Sequence, residues 1–337
     1  IFVPVAAVAL LTLGVACSDD GATPGEVDEP TLTVYSGRSE SFAGPILDRF
    51  ERKTGIEVRA KFGDTAELAA ALAEEGKASP ADVFWAQDAG ALGAISERGL
   101  FAELPGAVLD RVPDRFRSTD GLWVGITGRA RVAVYNPGLV PASDLPTSVL
   151  DLTGPKWRGK VGWAPSNGSF QAFVTALRAL KGDEAARQWL EGVKGNGAKA
   201  YPNNEALTLA VGRGEVALGL VNHYYLLEMR EEEGEDIDGE LHFFPGGDPG
   251  SLVNVAGAGI LRSSDEKAAA AQLLEFLLSE DGQQYFAQEV WEYPLVEGVS
   301  QHGDLPKLSK IEAPDVDLSD LADLQGSLDL LRSVGLL

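Results

Sequence analysis

The feature that most constrains the fold is a repeated alternation between short strand-like segments and amphipathic helical segments. The segment LTVYS alternates as a strand does, and the next segment spaces Ile46 and Phe50 as a helix does before it ends at Gly55. The same order recurs around IEVRAKF, ADVFWA, KVGWA and VALGLVN. Strands that alternate with helices predict an α/β fold, with a parallel sheet covered on both faces.

Two long extended segments, WVGITGRARVAVYN and NVAGAGIL, interrupt this alternation. We interpret them as crossings between two α/β lobes that enclose a ligand cleft, and 337 residues are enough for two such units. We assign residues 31–130 and about 255–305 to an N-terminal lobe, and residues 131–254 and about 306–337 to a C-terminal lobe. The segment EKAAAAQLLEFLLSEDGQQYFAQE predicts one long helix.

The N-terminal segment is apolar and uncharged up to the single cysteine, Cys17. It is too short to span a membrane as a mature helix, so residues 1–17 predict a signal peptide. Ile1 stands where a basic segment is expected, which indicates that the sequence starts inside that signal. The small residues before Cys17 resemble a lipobox and predict lipidation, although an ordinary secretory signal is the alternative. The polar residues 18–30 predict a flexible tether.

The charge balance excludes several classes of function. With 51 acidic against 28 basic residues, the formal net charge is -23, which repels nucleic acid and attracts cations to a cleft. The alternative is that the negative charge only increases the solubility of the protein. One cysteine excludes an intramolecular disulfide and a cysteine-based metal site.

Sequence motifs of common enzymes are absent. The chain has no P-loop, no G-x-S-x-G turn and no H-E-x-x-H, and its three histidines, His223, His242 and His302, are interpreted as structural or surface residues. We therefore expect no enzyme, although carboxylate-based catalysis in a cleft stays open as an alternative.

Two adjacent tyrosines, Tyr224 and Tyr225, follow the strand VALGLVN and open a helix. Ligands of open α/β sheets bind at the carboxyl ends of strands, which is where this pair lies. Phenolate oxygens are hard ligands that suit a highly charged cation such as Fe³⁺. The alternative is that the pair only packs against its neighbours.

Several longer segments resemble one family. GRARVAVYNP, GPKWRGKVGWAPSNGSF, NHYYLLEM, FPGGDPGSLVNVAGAGIL and WEYPL, in this order, look like the bacterial periplasmic ferric-ion-binding proteins, and the resemblance runs from about Thr31 to Leu337. It implies a two-lobe periplasmic-binding-protein fold of type II-like topology that binds one Fe³⁺ in the cleft, often with a synergistic anion such as carbonate or phosphate.

The resemblance also implies partners and a location. The expected partners are the permease and ATPase of an iron ABC importer, and the membrane through a lipid anchor. The expected location is the cell envelope, either periplasmic or on the outer face of the cytoplasmic membrane, with the protein as a monomer. A protein in the same fold that binds a small organic ligand or anion, such as a polyamine, thiamine or a phosphonate, is the alternative.

Carried over residue by residue, the resemblance implies three tyrosine ligands. The tyrosine pair falls on Tyr224 and Tyr225, and a third tyrosine found in part of the family falls on Tyr135. Burial of Tyr135 against the sheet is the alternative for this residue.

The chain departs from the family at two ligand positions. Ser39 stands where some members have a histidine, and Gln87 stands where they have a glutamate, so we expect a tyrosine-dominated site. Glu40 and Asp88, at strand-to-helix junctions, are further candidates for the metal or its surroundings. Both are equally plausible as exposed helix caps.

An anion site is expected beside the metal. The loop before a predicted helix offers free N–H groups to an anion. The loop is Asn167, Gly168 and Ser169, and the resemblance implies anion contacts there and at Asn204 and Asn222. Arg38 and Arg129 are further candidates, which would balance the negative ligands or hold a carbonate. Helix capping explains the asparagines equally well, and surface ion pairs explain the arginines.

Overall fold

The computed structural model describes residues 30–233, 237–303 and 305–337. The predicted signal peptide, the lipidation site Cys17 and the tether up to residue 29 lie outside the described residues. No helix in the described part of the chain combines the length and apolar character needed to cross a membrane.

The order of strands and helices follows the predicted alternation. The strands are β1 (Thr31–Ser36), β2 (Glu57–Phe62), β3 (Val83–Ala86), β4 (Val124–Tyr135), β5 (Val161–Trp163), β6 (Lys199–Ala200), β7 (Leu218–Asn222), β8 (Glu240–His242), β9 (Val253–Ile260) and β10 (Tyr293–Pro294). The helices are α1 (Glu40–Thr54), α2 (Thr65–Glu75), α3 (Ala89–Glu97), α4 (Gly106–Leu109), α5 (Gly168–Lys181), α6 (Asp183–Gly195), α7 (Asn204–Gly212), α8 (Tyr224–Glu233), α9 (Lys267–Leu277), α10 (Glu280–Glu289) and α11 (Leu324–Ser333).

The strands form a mixed sheet with the order β2-β1-β3-β9-β4-β7-β5-β6, and β8 and β10 also pair with β4. The predicted α/β class is confirmed. The pairs β1–β2, β1–β3, β5–β6 and β5–β7 are parallel, but β9 runs antiparallel to both β3 and β4. A wholly parallel sheet was therefore the wrong prediction, because the two long strands run in opposite directions.

Strand β4 belongs to two groups of strands. Its first part, up to Ala130, pairs with β9, and β10 pairs with it at Gly128. From Arg131 to Tyr135 it pairs with β7 and β8 instead. The change of partner falls between Ala130 and Arg131, where we also propose the boundary between the lobes.

The segment predicted as one long helix is two helices, α9 and α10. Ser279 accepts a hydrogen bond from the amide of Gly282 at 3.2 Å, which caps the start of α10. A Cβ at Gly282 would lie 2.5 Å from the carbonyl oxygen of Phe276, so the sharp bend needs glycine at this position. The spacing of apolar residues continues across the bend, so the sequence pattern did not indicate where one helix ends and the next begins.

An aromatic cluster supports the start of α5. Trp163, Phe170, Phe173 and Trp189 are buried, and their ring centroids lie 5.4 to 6.2 Å apart in edge-to-face or tilted contacts. The indole nitrogen of Trp189 donates to the carbonyl of Val149 at 2.9 Å. This packing fixes the first turn of α5, which faces the cleft described below.

Candidate metal site

A cleft of about 580 Å³ opens at the ends of the central strands. Its walls come from the loops after β1 and β3, from β4 and β9, and from the first turns of α5 and α8. Both predicted tyrosines of α8, Tyr224 and Tyr225, line it. The pair therefore lies in the cleft at the carboxyl end of β7, where the sequence predicted a ligand site.

The two tyrosine rings lie against each other. Their centroids are 4.4 Å apart and the ring planes differ by 33°. Tyr224 is only 5% exposed, while Tyr225 is half-buried. Burial, then the neighbouring phenol of Tyr225, raises the pKa of the Tyr224 phenol well above its usual value, and Arg129 opposes this shift. Without a cation, Tyr224 is a neutral phenol at neutral pH.

Two buried arginines on β4, Arg129 and Arg131, lie beneath the tyrosine pair. Arg131 donates to the hydroxyl of Ser169 at 3.2 Å and to the carbonyl of Leu220 at 2.9 Å. Arg129 makes one long bond of 3.5 Å to the carbonyl of Val255. The Nε atoms of both arginines are buried without a hydrogen-bond partner in the described structure. The two guanidinium groups therefore place buried positive charge and unsatisfied N–H donors next to the cleft.

The charge on Arg131 responds to the tyrosines. Burial lowers the pKa of the Arg131 guanidinium to about 9, and negative charge on Tyr225 or Tyr224 raises it again. The guanidinium also lies over the rings of Phe170 and Phe173, 5.4 and 5.5 Å from their centroids. Arg131 was missed in the sequence, although its two-residue spacing from Arg129 on one strand places both on the same face.

Three of the predicted anion-binding residues form one network. Asn167 caps α5 and accepts from the amide of Ser169 at 3.0 Å and from its hydroxyl at 2.6 Å. Asn204 donates to Asn167 at 3.1 Å and to Ser169 at 3.0 Å. Space around the Cα of Gly168 is open. Asn222 lines a small cavity of about 10 Å³ together with Ser169. Of these residues, Asn167, Gly168 and Ser169 line the cleft, while Asn204 and Asn222 are buried behind them.

The opposite wall carries neutral groups at the two positions where the resemblance implies ligands in some family members. Ser39 and Gln87 both line the cleft. The hydroxyl of Ser39 is 3.0 Å from that of Ser41, and Gln87 accepts from Arg38 at 2.7 Å. Neither of these two side chains supplies an anionic oxygen, so neither is a strong ligand for a trivalent cation.

The two carboxylate candidates of the sequence differ in position. Asp88 lines the cleft and caps α3 by accepting from the amide of Ala91 at 3.0 Å. Burial raises the pKa of the Asp88 carboxyl, and the hydrogen bond from the amide of Ala91 and the charge of Arg129 lower it by less. Glu40 is exposed and borders a separate surface groove with Pro45. The structure therefore brings Asp88 to the cleft and leaves Glu40 outside it.

Arg38 is held in a buried ion pair. Its guanidinium lies 2.9 Å from the carboxylate of Glu292, and the two side chains are 2% and 1% exposed. Thr127 donates to the same carboxylate at 2.5 Å. Because Arg38 is paired and does not line the cleft, the structure argues against its predicted role in anion binding. It instead fixes the side chain of Gln87.

Tyr135 lies away from the tyrosine pair. It faces Leu218 at the start of β7, whereas Tyr224 and Tyr225 follow the end of that strand. Four residues of β4 separate Tyr135 from the level of Asn222, which corresponds to about 13 Å. Its hydroxyl donates to Glu240 at 2.6 Å, and burial raises its pKa to about 12. The structure therefore argues against Tyr135 as a third ligand beside the pair.

His223 supports the tyrosine pair from behind. Its Nδ1 accepts from the amide of Ala130 at 3.2 Å, so Nε2 carries the proton and donates to the carbonyl of Trp291 at 2.8 Å. The imidazole is fully buried, and burial lowers its pKa to about 4. His223 is thus a neutral structural residue next to Tyr224, in agreement with its interpretation from the sequence.

Two further residues of the cleft wall, Asn254 and Glu228, were missed in the sequence. Asn254 lies on β9 opposite Arg129 and accepts from the amide of Ala89 at 3.3 Å. Glu228 lies on α8, one turn beyond the tyrosine pair. The sequence did contain a signal for Glu228, since residues three and four positions after the pair lie on the same face of a helix. Among the described residues, no group of three or more His, Cys, Asp and Glu side chains gathers to hold a metal.

Comparison with known proteins gives consistent matches. A family model described as bacterial extracellular solute-binding protein matches residues 78–319. The major ferric iron-binding protein of Neisseria meningitidis serogroup B is 36% identical over 321 residues, which cover 94% of this chain and 95% of that protein. The Fe(3+)-binding periplasmic protein of Serratia marcescens is 34% identical over 94% of both.

Solved structures agree with these matches. The iron-bound HitA of Pseudomonas aeruginosa superposes with a TM-score of 0.85 at 38% identity, over 91% of this chain and 99% of that one. A Trichodesmium protein in complex with iron and citrate ligands gives a TM-score of 0.82 at 29% identity, over 91% and 100%. These similarities confirm the predicted two-lobe, type II-like fold. The chain belongs to the family of bacterial extracellular solute-binding proteins.

Proposed function

We propose that this protein is the extracytoplasmic substrate-binding subunit of an ABC importer, that it binds Fe³⁺ through Tyr224 and Tyr225, and that it delivers the ion to the permease. The observation that carries the proposal is the pair of phenol rings in contact, which lies in a 580 Å³ cleft next to the buried arginines Arg129 and Arg131. The names of the matched relatives support iron as the ion.

Proton release accompanies binding in this proposal. Tyr224 is a neutral phenol in the free protein, and Fe³⁺ displaces phenol protons as it forms bonds to the oxygens. The guanidinium groups of Arg129 and Arg131 stabilise negative charge on the oxygens around the ion. Reprotonation of the phenols, reduction of the iron or contact with the permease then releases the cargo.

An exogenous anion completes the coordination in this proposal. Two phenolates occupy only part of the coordination sphere of a ferric ion, and the opposite wall offers Ser39 and Gln87. The hydroxyl of Ser169 and the guanidinium of Arg129 line the cleft and provide donors for a carbonate or phosphate, and Asn204 holds the Ser169 hydroxyl in place from behind. The citrate in the Trichodesmium structure shows that an oxyanion accompanies iron in one structural neighbour.

The cellular setting follows from the same proposal. The partners are the permease and the ATPase of an iron importer, and the protein acts as a monomer. The relative from Serratia marcescens is named a periplasmic protein, which supports a location in the cell envelope. Diacylation of Cys17 anchors the protein to the outer face of the membrane, and the polar segment up to residue 30 serves as its tether. We assign it no catalytic reaction.

The alternative, a small organic ligand, is less well supported. The relatives that match nearly the whole chain are named for ferric iron. The phenol pair with two buried arginines suits a metal–oxyanion complex better than a polyamine, because buried guanidinium groups repel a cationic amine that brings no counter-anion.

A colour assay tests the proposal. Iron-free protein mixed with ferric citrate is expected to develop a visible phenolate-to-iron charge-transfer band, and Tyr224→Phe and Tyr225→Phe each remove most of it. Tyr135→Phe is the matched control and keeps the full band, because its hydroxyl lies on Glu240 outside the cleft. Wild-type protein that stays colourless, or tyrosine pair variants that keep the band, would refute the proposal.

A further inference from the structure

Glu228 shares a helical face with the tyrosine pair. It follows Tyr224 by four residues and Tyr225 by three on α8, and residues at these spacings are neighbours on the surface of a helix. All three side chains line the same cleft. One face of one helix thus presents two phenols and one carboxylate to a common space.

The direction of the side chain brings the carboxylate toward the phenols. Side chains on an α-helix lean toward the N-terminus, so that of Glu228 leans over the turn that carries Tyr224 and Tyr225. The residue is half-buried, as Tyr225 is, and so lies at the wall of the cleft. A carboxylate oxygen is a hard ligand of the same kind as a phenolate.

The charge balance of the cleft calls for such a ligand. Two phenolates neutralise two of the three charges of Fe³⁺, and the remaining positive charge lies next to the buried guanidinium groups of Arg129 and Arg131. On the opposite wall, Gln87 is neutral, and the carboxylates of Asp64 and Asp88 accept from the first amides of α2 and α3. A carboxylate from α8 removes the remaining charge without any contribution from that wall.

We propose that Glu228 is a third protein ligand of the bound ferric ion, so that one face of α8 supplies all anionic protein ligands. The proposal rests on the function proposed above. With Glu228, all anionic protein ligands lie on one wall of the cleft. The opposite wall has Ser39 and Gln87 at the positions where the resemblance implies ligands in some family members.

The test compares Glu228→Gln with Glu231→Gln. Glutamine keeps the size of Glu228 and removes the anionic oxygen. Glu231 is an exposed carboxylate of the same helix that does not line the cleft, so its variant changes the net charge equally. Affinity is measured by citrate competition followed at the charge-transfer band, and thermal unfolding of the iron-free proteins verifies their folding.

The expected result has two parts. Glu228→Gln keeps the band, because both phenolates remain, but binds iron about ten- to a hundredfold more weakly. Its band also moves to longer wavelength, because a ferric ion with one anionic donor fewer accepts phenolate electrons at lower energy. Glu231→Gln changes affinity less than about twofold and leaves the band in place.

Two kinds of failure are distinguishable. If the wild type develops the band and Glu228→Gln matches it in affinity or in band position, ligation by Glu228 is refuted and iron binding by the tyrosines stands. If the wild type develops no band, the proposed function fails and the role of Glu228 fails with it.

Discussion

The buried ion pair of Arg38 and Glu292 allows a quantitative prediction for Glu292→Gln. The pair is 2.9 Å long, and its side chains are 2% and 1% exposed. Glutamine preserves the shape of the side chain but leaves the guanidinium of Arg38 buried without a countercharge. Removing one partner of such a pair costs about 3–5 kcal/mol. The hydroxyl of Thr127 loses its charged acceptor at the same time.

Thermal unfolding of the iron-free protein, followed by circular dichroism, measures this cost. For a chain of this length we expect Glu292→Gln to lower the midpoint by about 5–8 °C. The control is Glu289→Gln, which breaks an exposed pair with Arg49 whose side chains are 42% and 53% exposed. That change is expected to cost less than about 1 kcal/mol. Equal shifts in the two variants would contradict the reasoning.

Three further predictions concern the cleft. Ferric-ion affinity is expected to fall up to about a hundredfold per pH unit as pH decreases, because two phenols must lose their protons on binding and burial raises the pKa of Tyr224. Titration against a chelator of known protonation measures this slope, and an affinity that does not change with pH contradicts the prediction. Arg129→Met is expected to abolish the gain in iron affinity that added bicarbonate or phosphate produces, as measured by competition with and without the anion. Asn204→Ala is expected to lower the free energy of unfolding by about 1–3 kcal/mol in denaturant titrations, because Asn167 and Ser169 lose a buried donor.

Local patterns predicted most of the elements but not their directions. The periodicity of residues near Phe50 depends on the helix itself, so α1 was predictable from its own sequence. The antiparallel course of β9 depends on pairing with β3 and β4, which are far away in the chain. The bend at Gly282 depends on a close approach to Phe276, which apolar spacing does not record.

The site was predictable where its residues are adjacent in the sequence, because such residues also lie close together in the structure. Tyr224 and Tyr225 are adjacent, so both reach the cleft once α8 begins there. The structure argues against the predicted roles of Tyr135 and Arg38, because a sequence motif gives no distance along a strand and no partner for a charge. Glu228 was not predicted, because the sequence does not show how far along α8 the cleft extends.

Strand β4 also affects how the chain folds as it is synthesised. Its neighbours β9 and β10 begin at Val253 and Tyr293, more than a hundred residues downstream. An emerging chain therefore holds β4 as an incomplete edge until nearly all of the protein has been made. Long-range pairing of this kind slows folding and leaves edges open to aggregation. We expect chains truncated before Tyr293 to aggregate, since β4 then lacks a strand that completes its sheet.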